Sequence, residues 1–363
     1  MTTLFEPITL RDLTLANRLV VSPMCQYSCV DGFATDWHLV HLGSRATGGA
    51  SLVFTEATAV TADGRISPQD LGIWKDDHIS MLQRITALLH SQGSAAGMQL
   101  AHAGRKGSTL APWFGDAAVP EGQGGWEPVA PTAQPFSDTY PVPRALTRAE
   151  IAEVVDAFEA AARRALDAEF DVVEIHAAHG YLLHQFLSPL VNDRTDDYGG
   201  SFDNRVRLCL DVADAVRRAW PDRLPVFVRI SSTDWVEGGW DIEQSVELAK
   251  RLRDRGIDVI DCSSGGAVKN AKIPVGPGYQ VPFAERIKRD AGIATATVGM
   301  ITSARQADAI VSSGQADLVL MARQFLRDPY SAAHFAEELG VQFSWPVQYT
   351  RAAPAGSTKR AAR

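Results

Sequence analysis

Eight short apolar runs recur along this chain, and they restrict its possible folds more than any other feature. They are Arg18–Ser22, Leu52–Glu56, Ala96–Leu100, Val172–His176, Val226–Ile230, Val259–Cys262, Ala294–Val298 and Leu318–Met321. Most are apolar throughout rather than alternating, the pattern of parallel strands covered on the outside by helices. Helix-length segments separate them and carry start signals. Thr147-Arg-Ala-Glu150 is a capping box, Ser303-Ala-Arg-Gln306 repeats the pattern, and Asp241 is placed to cap the segment holding Ile242, Val246, Ala249 and Leu252. Eightfold strand–helix alternation predicts an α/β fold, a (β/α)8 TIM barrel. A doubly wound parallel sheet is the competing arrangement.

Such a barrel needs about 250 residues, and this chain has 363. The surplus falls before Arg18, in Gly104–Leu146 after the third strand, in Gly180–Gly200, and after Gly340. Gly104–Leu146 holds seven of the 19 prolines with Trp113 and Trp126, a composition suited to a lid or binding loop. Residues 1–350 are expected to form one domain. Arg351–Arg363, small or basic with no acidic residue, is expected to be a mostly disordered tail. The net charge of −8 argues against a nucleic-acid partner. No run approaches the roughly 18 apolar residues of a membrane span, and no secretory signal opens the chain, so a cytoplasmic location is expected. Cys25, Cys29, Cys209 and Cys262 are scattered and form no disulfide framework, zinc ribbon or iron–sulfur spacing. The last three read as structural.

In a barrel the active site forms at the C-terminal ends of the strands. Those ends carry Met24-Cys25, Glu56-Ala57, Gln99, His176, Arg229, Ser263-Ser264, Gly299 and Arg323. Gly299 and Arg323 close the seventh and eighth strands, where barrels often hold a phosphate: backbone approaches closely at a glycine, and an arginine clamps bidentately. The densest donor set is His176, His179 and Tyr181, leaving one strand end. Read from residues alone, it could be hydrogen-bonded structural histidines, a metal site lacking an obvious third ligand, or catalytic donors. Rossmann and P-loop glycine motifs are absent.

Several stretches resemble the Old Yellow Enzyme family of flavin-dependent ene-reductases, in particular its thermophilic-like, xenobiotic-reductase subclass. They are Leu4–Ile8, Asn17–Tyr27, Gln99–Arg105, His176-Ala-Ala-His179-Gly-Tyr181-Leu182, Asn192-Asp-Arg-Thr-Asp-Asp-Tyr-Gly-Gly-Ser201 and Arg323–Pro329. The resemblance implies noncovalent FMN, with NADPH or NADH as reductant. It implies that Ser22, Pro23, Met24, Cys25, Ala57 and Gln99 contact the flavin, that Arg229 sits by its electron-accepting end, and that Gly299, Met300, Ala322 and Arg323 surround its phosphate. By the same resemblance, His176 and His179 hold the carbonyl of an enone, maleimide or similar electron-poor alkene. Tyr181 donates the proton, Cys25 tunes the flavin, and Tyr27 contacts substrate. Arg351 reaches a neighbouring subunit's site in a homodimer or homotetramer. No metal is expected. Three departures stand out: Ala322 where the family often has Gly, Met300 after Gly299, and Ala-Ala-Pro after Arg351. Two other classes compete with an FMN ene-reductase: a metal-dependent barrel hydrolase using His176 and His179, and a flavin-binding sensor without turnover.

Overall fold

The computed structural model describes residues 3–358, the side chain of Glu121 apart. Eight parallel strands close into a barrel: β1 (Leu19–Val21), β2 (Leu52–Ala59), β3 (Ala95–Ala101), β4 (Val172–Ala177), β5 (Val226–Ser231), β6 (Val259–Ser263), β7 (Ala294–Thr297) and β8 (Leu318–Met321). Each strand pairs with its sequence neighbours, and β8 pairs with β1. All eight expected strands are present, within a few residues of their expected ends.

Two apolar layers hold the barrel. Val20, Leu52, Phe54, Val172, Phe227, Val259, Leu318 and Leu320 point inward and fill its base, with Phe54 and Phe227 in tilted contact, ring centroids 5.9 Å apart. A hairpin of Ile8–Leu10 and Leu13–Leu15, not anticipated from the sequence, packs Leu10 and Leu15 into the same layer. The alternate side chains face outward against the helices. Thus Val173 and Ile175 share a cluster with Phe158, Val206 and Val212, the two-sided burial that explains the fully apolar strands.

Helix starts follow the local signals. Thr147 and Glu150 form the reciprocal box at helix Arg148–Asp167, and Asp241 caps Ile242–Arg253 through the Gln244 amide. Ser303 caps Ala304–Ser312, but Gln306 accepts from the Thr302 amide instead of completing the box. Segment 104–146 holds short 3-10 turns and a two-residue strand pair, Val129–Ala130 with Arg144–Ala145. No helix among the described residues is long and apolar enough to cross a membrane. Around the boundary expected at 350 the chain forms the exposed 3-10 turn Val347–Ala352 and a parallel bridge between Phe343 and Thr358. Residues 351–358 of the expected tail are described here, and residues 359–363 lie outside the described residues.

Candidate active site

His176 is the fifth residue of β4, opposite Arg229 on β5. Beyond the strand the chain turns sharply: His179 takes a left-handed φ of 59° and Gly180 one of 72°. Such a conformation strains any residue but glycine, and its presence at a non-glycine position marks a loop whose surroundings over-determine it. Those surroundings can be named. The His179 amide donates to Ser231 Oγ at 2.9 Å, and the Gly180 amide to His184 Nδ1 at 2.8 Å. Lys106 Nζ donates to the carbonyls of His179 and Gly266, both at 2.7 Å. Gln185 donates to the Gly180 carbonyl at 2.7 Å and accepts from the Arg105 amide. His184 lies 3.0 Å from Asp234 in the interior. Burial alone would raise the Asp234 carboxyl, but His184 and the donors Ser188 and Trp240 outweigh it and hold it low.

The turn brings three rings together. His176 and His179 are nearly perpendicular, 5.1 Å between centroids, and Tyr181 stands edge-on to His176 at 5.0 Å. Burial, reinforced by Arg229, drives both imidazoles well below their ordinary pKa, so both are neutral. Burial likewise pushes the Tyr181 phenol up, so it keeps its proton. Lys106 lies 5.6 Å from the Tyr181 ring, and burial, aided by Arg105, lowers its ammonium to about 7.

On the facing side, β1 runs into Ser22-Pro23-Met24-Cys25. Burial, then Asp70 and Glu56, raises the Cys25 thiol, which is therefore not a thiolate. Tyr27 adopts a φ of 48° and meets Trp113 of segment 104–146 edge-on at 5.5 Å. A register shift between Phe54 and Ala57 bulges β2. Glu56 there accepts from the Gln26 amide at 2.9 Å and lies 2.9 Å from His38 Nε2, bracing the Cys25 loop from behind. Ala57 stands opposite Gln99.

Gln99 leads to a buried polar layer that the sequence reading missed. Its Nε2 donates to Glu174 at 2.7 Å, Arg229 Nε lies 3.1 Å from Asp261, and Arg229 reaches Ser22 Oγ at 3.2 Å. Two carboxylates thus share one guanidinium. Burial and mutual repulsion raise Glu174, and burial raises Asp261 against the pull of Arg229. Glu174 and Asp261 sit within strand runs otherwise read as plain core. Only their acidity there could have marked them.

Gly299, Met300, Ala322 and Arg323 line one cavity of about 110 Å³ between β7 and β8. Gly299 has a φ of 127°, and a Cβ there would meet Gln280 and Tyr279 at 2.9 Å. Arg323 is exposed and enters no ion pair among the described residues. A glycine cradle beside an uncommitted guanidinium fits a phosphate, and the Gln99–Arg229 layer fits the polar edge of a flavin ring. Arg351 is exposed on the 3-10 turn, apart from these groups. Among the described residues, the set that could hold a metal is Cys29, His38 and Glu56, not the His176 pair. His38 Nδ1 there already accepts from the Thr35 amide at 3.0 Å. Cys29, Cys209 and Cys262 are buried, as a structural role requires.

The Asn192–Ser201 motif braces the fold. Arg194 donates to the carbonyls of Pro131 and Leu146 at 2.9 and 2.6 Å, pinning both flanks of the last part of segment 104–146.

Residues 3–341 match the model of the NADH:flavin oxidoreductase / NADH oxidase family. The chain is 50% identical over 352 residues to an NADPH dehydrogenase of Geobacillus thermodenitrificans, covering 96% of this chain and 98% of that one. It is 49% identical to an NADPH dehydrogenase of Listeria monocytogenes serotype 4a, covering 97% and 99%. Among solved structures it superposes on morphinone reductase with a TM-score of 0.78 at 29% identity, covering 95% and 91%. The Old Yellow Enzyme homologue from Zymomonas mobilis gives 0.78 at 29%, covering 93% of each chain.

Proposed function

Because the chain belongs to the NADH:flavin oxidoreductase / NADH oxidase family, the Old Yellow Enzyme family, and is an FMN-containing, NAD(P)H-dependent oxidoreductase, we propose that it reduces the activated C=C bond of α,β-unsaturated carbonyl compounds. One observation carries this reading: two neutral, buried imidazoles set at right angles, with a protonated tyrosine against one of them.

FMN, when bound, would supply the hydride chemistry that links NAD(P)H oxidation to reduction of the alkene. Ser22 to Cys25, Ala57, Gln99 and Arg229 would hold its ring, and Gly299, Met300, Ala322 and Arg323 its phosphate. His176 and His179 donate to the carbonyl oxygen and stabilise the negative charge that grows there as the β-carbon is reduced, each such donor contributing about 3 kcal/mol or more. Tyr181 delivers its proton to the α-carbon. Cys25, a neutral thiol, would lie along the flavin, and Tyr27 with Trp113 bounds the substrate space under the lid. Arg351 completes the site of a second copy in a homodimer or homotetramer, and the enzyme works in the cytoplasm.

The test is anaerobic. Purified protein should be yellow, bleach with NADPH or NADH, and recolour on adding 2-cyclohexenone or a maleimide. Bleached protein that recolours only with oxygen would refute the ene-reductase reading and favour a sensor. Among the described residues, the three-ligand set that could hold a metal does not include His176 or His179, so a metal-hydrolase reading has no comparable support.

A further inference from the structure

A polar chain runs behind His179 and ends on the backbone of the phosphate-type cavity. Gln280, buried before helix Val281–Ala291, donates through Nε2 to the Val298 carbonyl at 2.7 Å. That bond orients the amide, so Oε1 faces the two serines leaving β6. Ser264 Oγ donates to this oxygen at 2.6 Å. Ser263 Oγ lies 3.4 Å from the same oxygen but 2.7 Å from His179 Nε2. Gln280, Ser263 and Ser264 are 2%, 5% and 8% exposed, so bulk water does not compete for these bonds.

A hydroxyl has one proton to give. For Ser263 the acceptors in reach are unequal: Gln280 Oε1 lies 3.4 Å away and also accepts from Ser264, whereas His179 Nε2 lies at 2.7 Å. The proton goes to the short contact, Nε2 accepts it, and the neutral ring carries its own proton on Nδ1. His176 is arranged oppositely. Its Nδ1 accepts from the Ala178 amide at 3.2 Å, leaving the proton on Nε2. No hydrogen bond from a described residue reaches His176 Nε2 or His179 Nδ1.

We propose that Ser263, set by Gln280 and Ser264, is a positioning residue that fixes His179 as its Nδ1–H tautomer. The histidine pair then offers two N–H donors, one from each kind of ring nitrogen, to a single oxygen. The proposal rests on the carbonyl-clamp role given to this pair. With the other tautomer, a bare Nδ1 lone pair would face the developing negative charge and oppose it.

The experiment is two-bond 1H–15N correlation on protein labelled at histidine nitrogens, at neutral pH and without ligand. Loss of signals in His179→Gln assigns the residue. Wild type and Ser263→Thr should show His179 protonated at Nδ1, and Ser263→Ala, which removes only a hydroxyl, should move that proton to Nε2. Reoxidation of the NADPH-reduced Ser263→Ala enzyme by 2-cyclohexenone should slow about tenfold, less than deleting a donor outright, and recover in Ser263→Thr. A wild-type His179 protonated at Nε2, or an Ala variant with the wild-type tautomer, would overturn the proposal. The spectrum needs no substrate, so it decides this point even if the enone assay rejects the clamp.

Discussion

Tyr181 meets His176 edge-on and is buried with its phenol intact, which separates two roles that the sequence leaves merged. If the tyrosine serves only as acid, Tyr181→Phe should slow reoxidation by an enone about 100-fold or more while leaving reduction by NAD(P)H nearly unchanged; stopped-flow traces of the two half-reactions check this, and equal losses in both would contradict it. The histidines make a pH prediction. Burial and Arg229 hold both below the ordinary value of 6.5, so they stay neutral as the pH falls. Affinity for an uncharged enone should therefore be flat from pH 8 to pH 5.5, and binding that weakens through pH 6.5 would show a titrating clamp. The same shifts cost stability below the unfolded value, because only the unfolded chain then takes up the proton.

The elements matter most where their loops touch. The turn after β4 and the turn after β6 meet backbone to backbone. A Cβ on Gly266, φ 94°, would fall 2.5 and 2.6 Å from the His179 carbonyl carbon and Cα, and Lys106 ties the two turns by donating to both carbonyls. Gly266→Ala combines a left-handed φ with a backbone clash and should cost about 2–4 kcal/mol. Because relief requires moving His179, affinity for an enone should fall as well. Denaturant unfolding together with 2-cyclohexenone titration measures both, and a variant of wild-type stability would show that the loops can part freely. The Asn192–Ser201 motif belongs to this scale too: Arg194 donates to the carbonyls of Pro131 and Leu146, and Asn192 to those of Phe186 and Tyr198, which ties segment 104–146 to the turns after β4.

Over the whole molecule, the barrel interior changes character from base to mouth. Phe54, Phe227 and the N-terminal hairpin make the base apolar, whereas Gln99, Glu174, Arg229 and Asp261 form a polar layer nearer the site. That layer carries one more carboxylate than cations. Glu174, raised by burial and Asp261, is protonated in the fold at pH values where the unfolded chain has lost the proton. Stability from a raised carboxyl is full below the unfolded value of 4.5 and drains as the pH climbs toward the folded one. Glu174→Gln removes this drain and leaves Gln99 an amide oxygen to donate to. Its melting temperature should match wild type near pH 4 and exceed it increasingly up to about pH 8. A constant offset across that range would mean that Glu174 does not titrate in the fold.

The chain's own pattern was enough for the barrel. Eight apolar runs buried on both faces, with caps such as Thr147 and Asp241 opening the helices between them, leave few other ways to cover every strand, so each strand was legible within a few residues. The place of His176, His179 and Tyr181 at one strand end reads as a single donor group, and His176 lies 5.1 Å from His179 and 5.0 Å from Tyr181 between ring centroids. What stayed hidden depends on contacts between segments far apart in the chain. The hairpin at the barrel base, the Glu174–Asp261 layer and the Ser263–His179 contact, 84 residues apart, have no local signature. Periodicity reports which face of an element is buried, while a proton's position on an imidazole or the charge on a buried carboxyl is set by whichever atoms the closed barrel brings within about 3 Å.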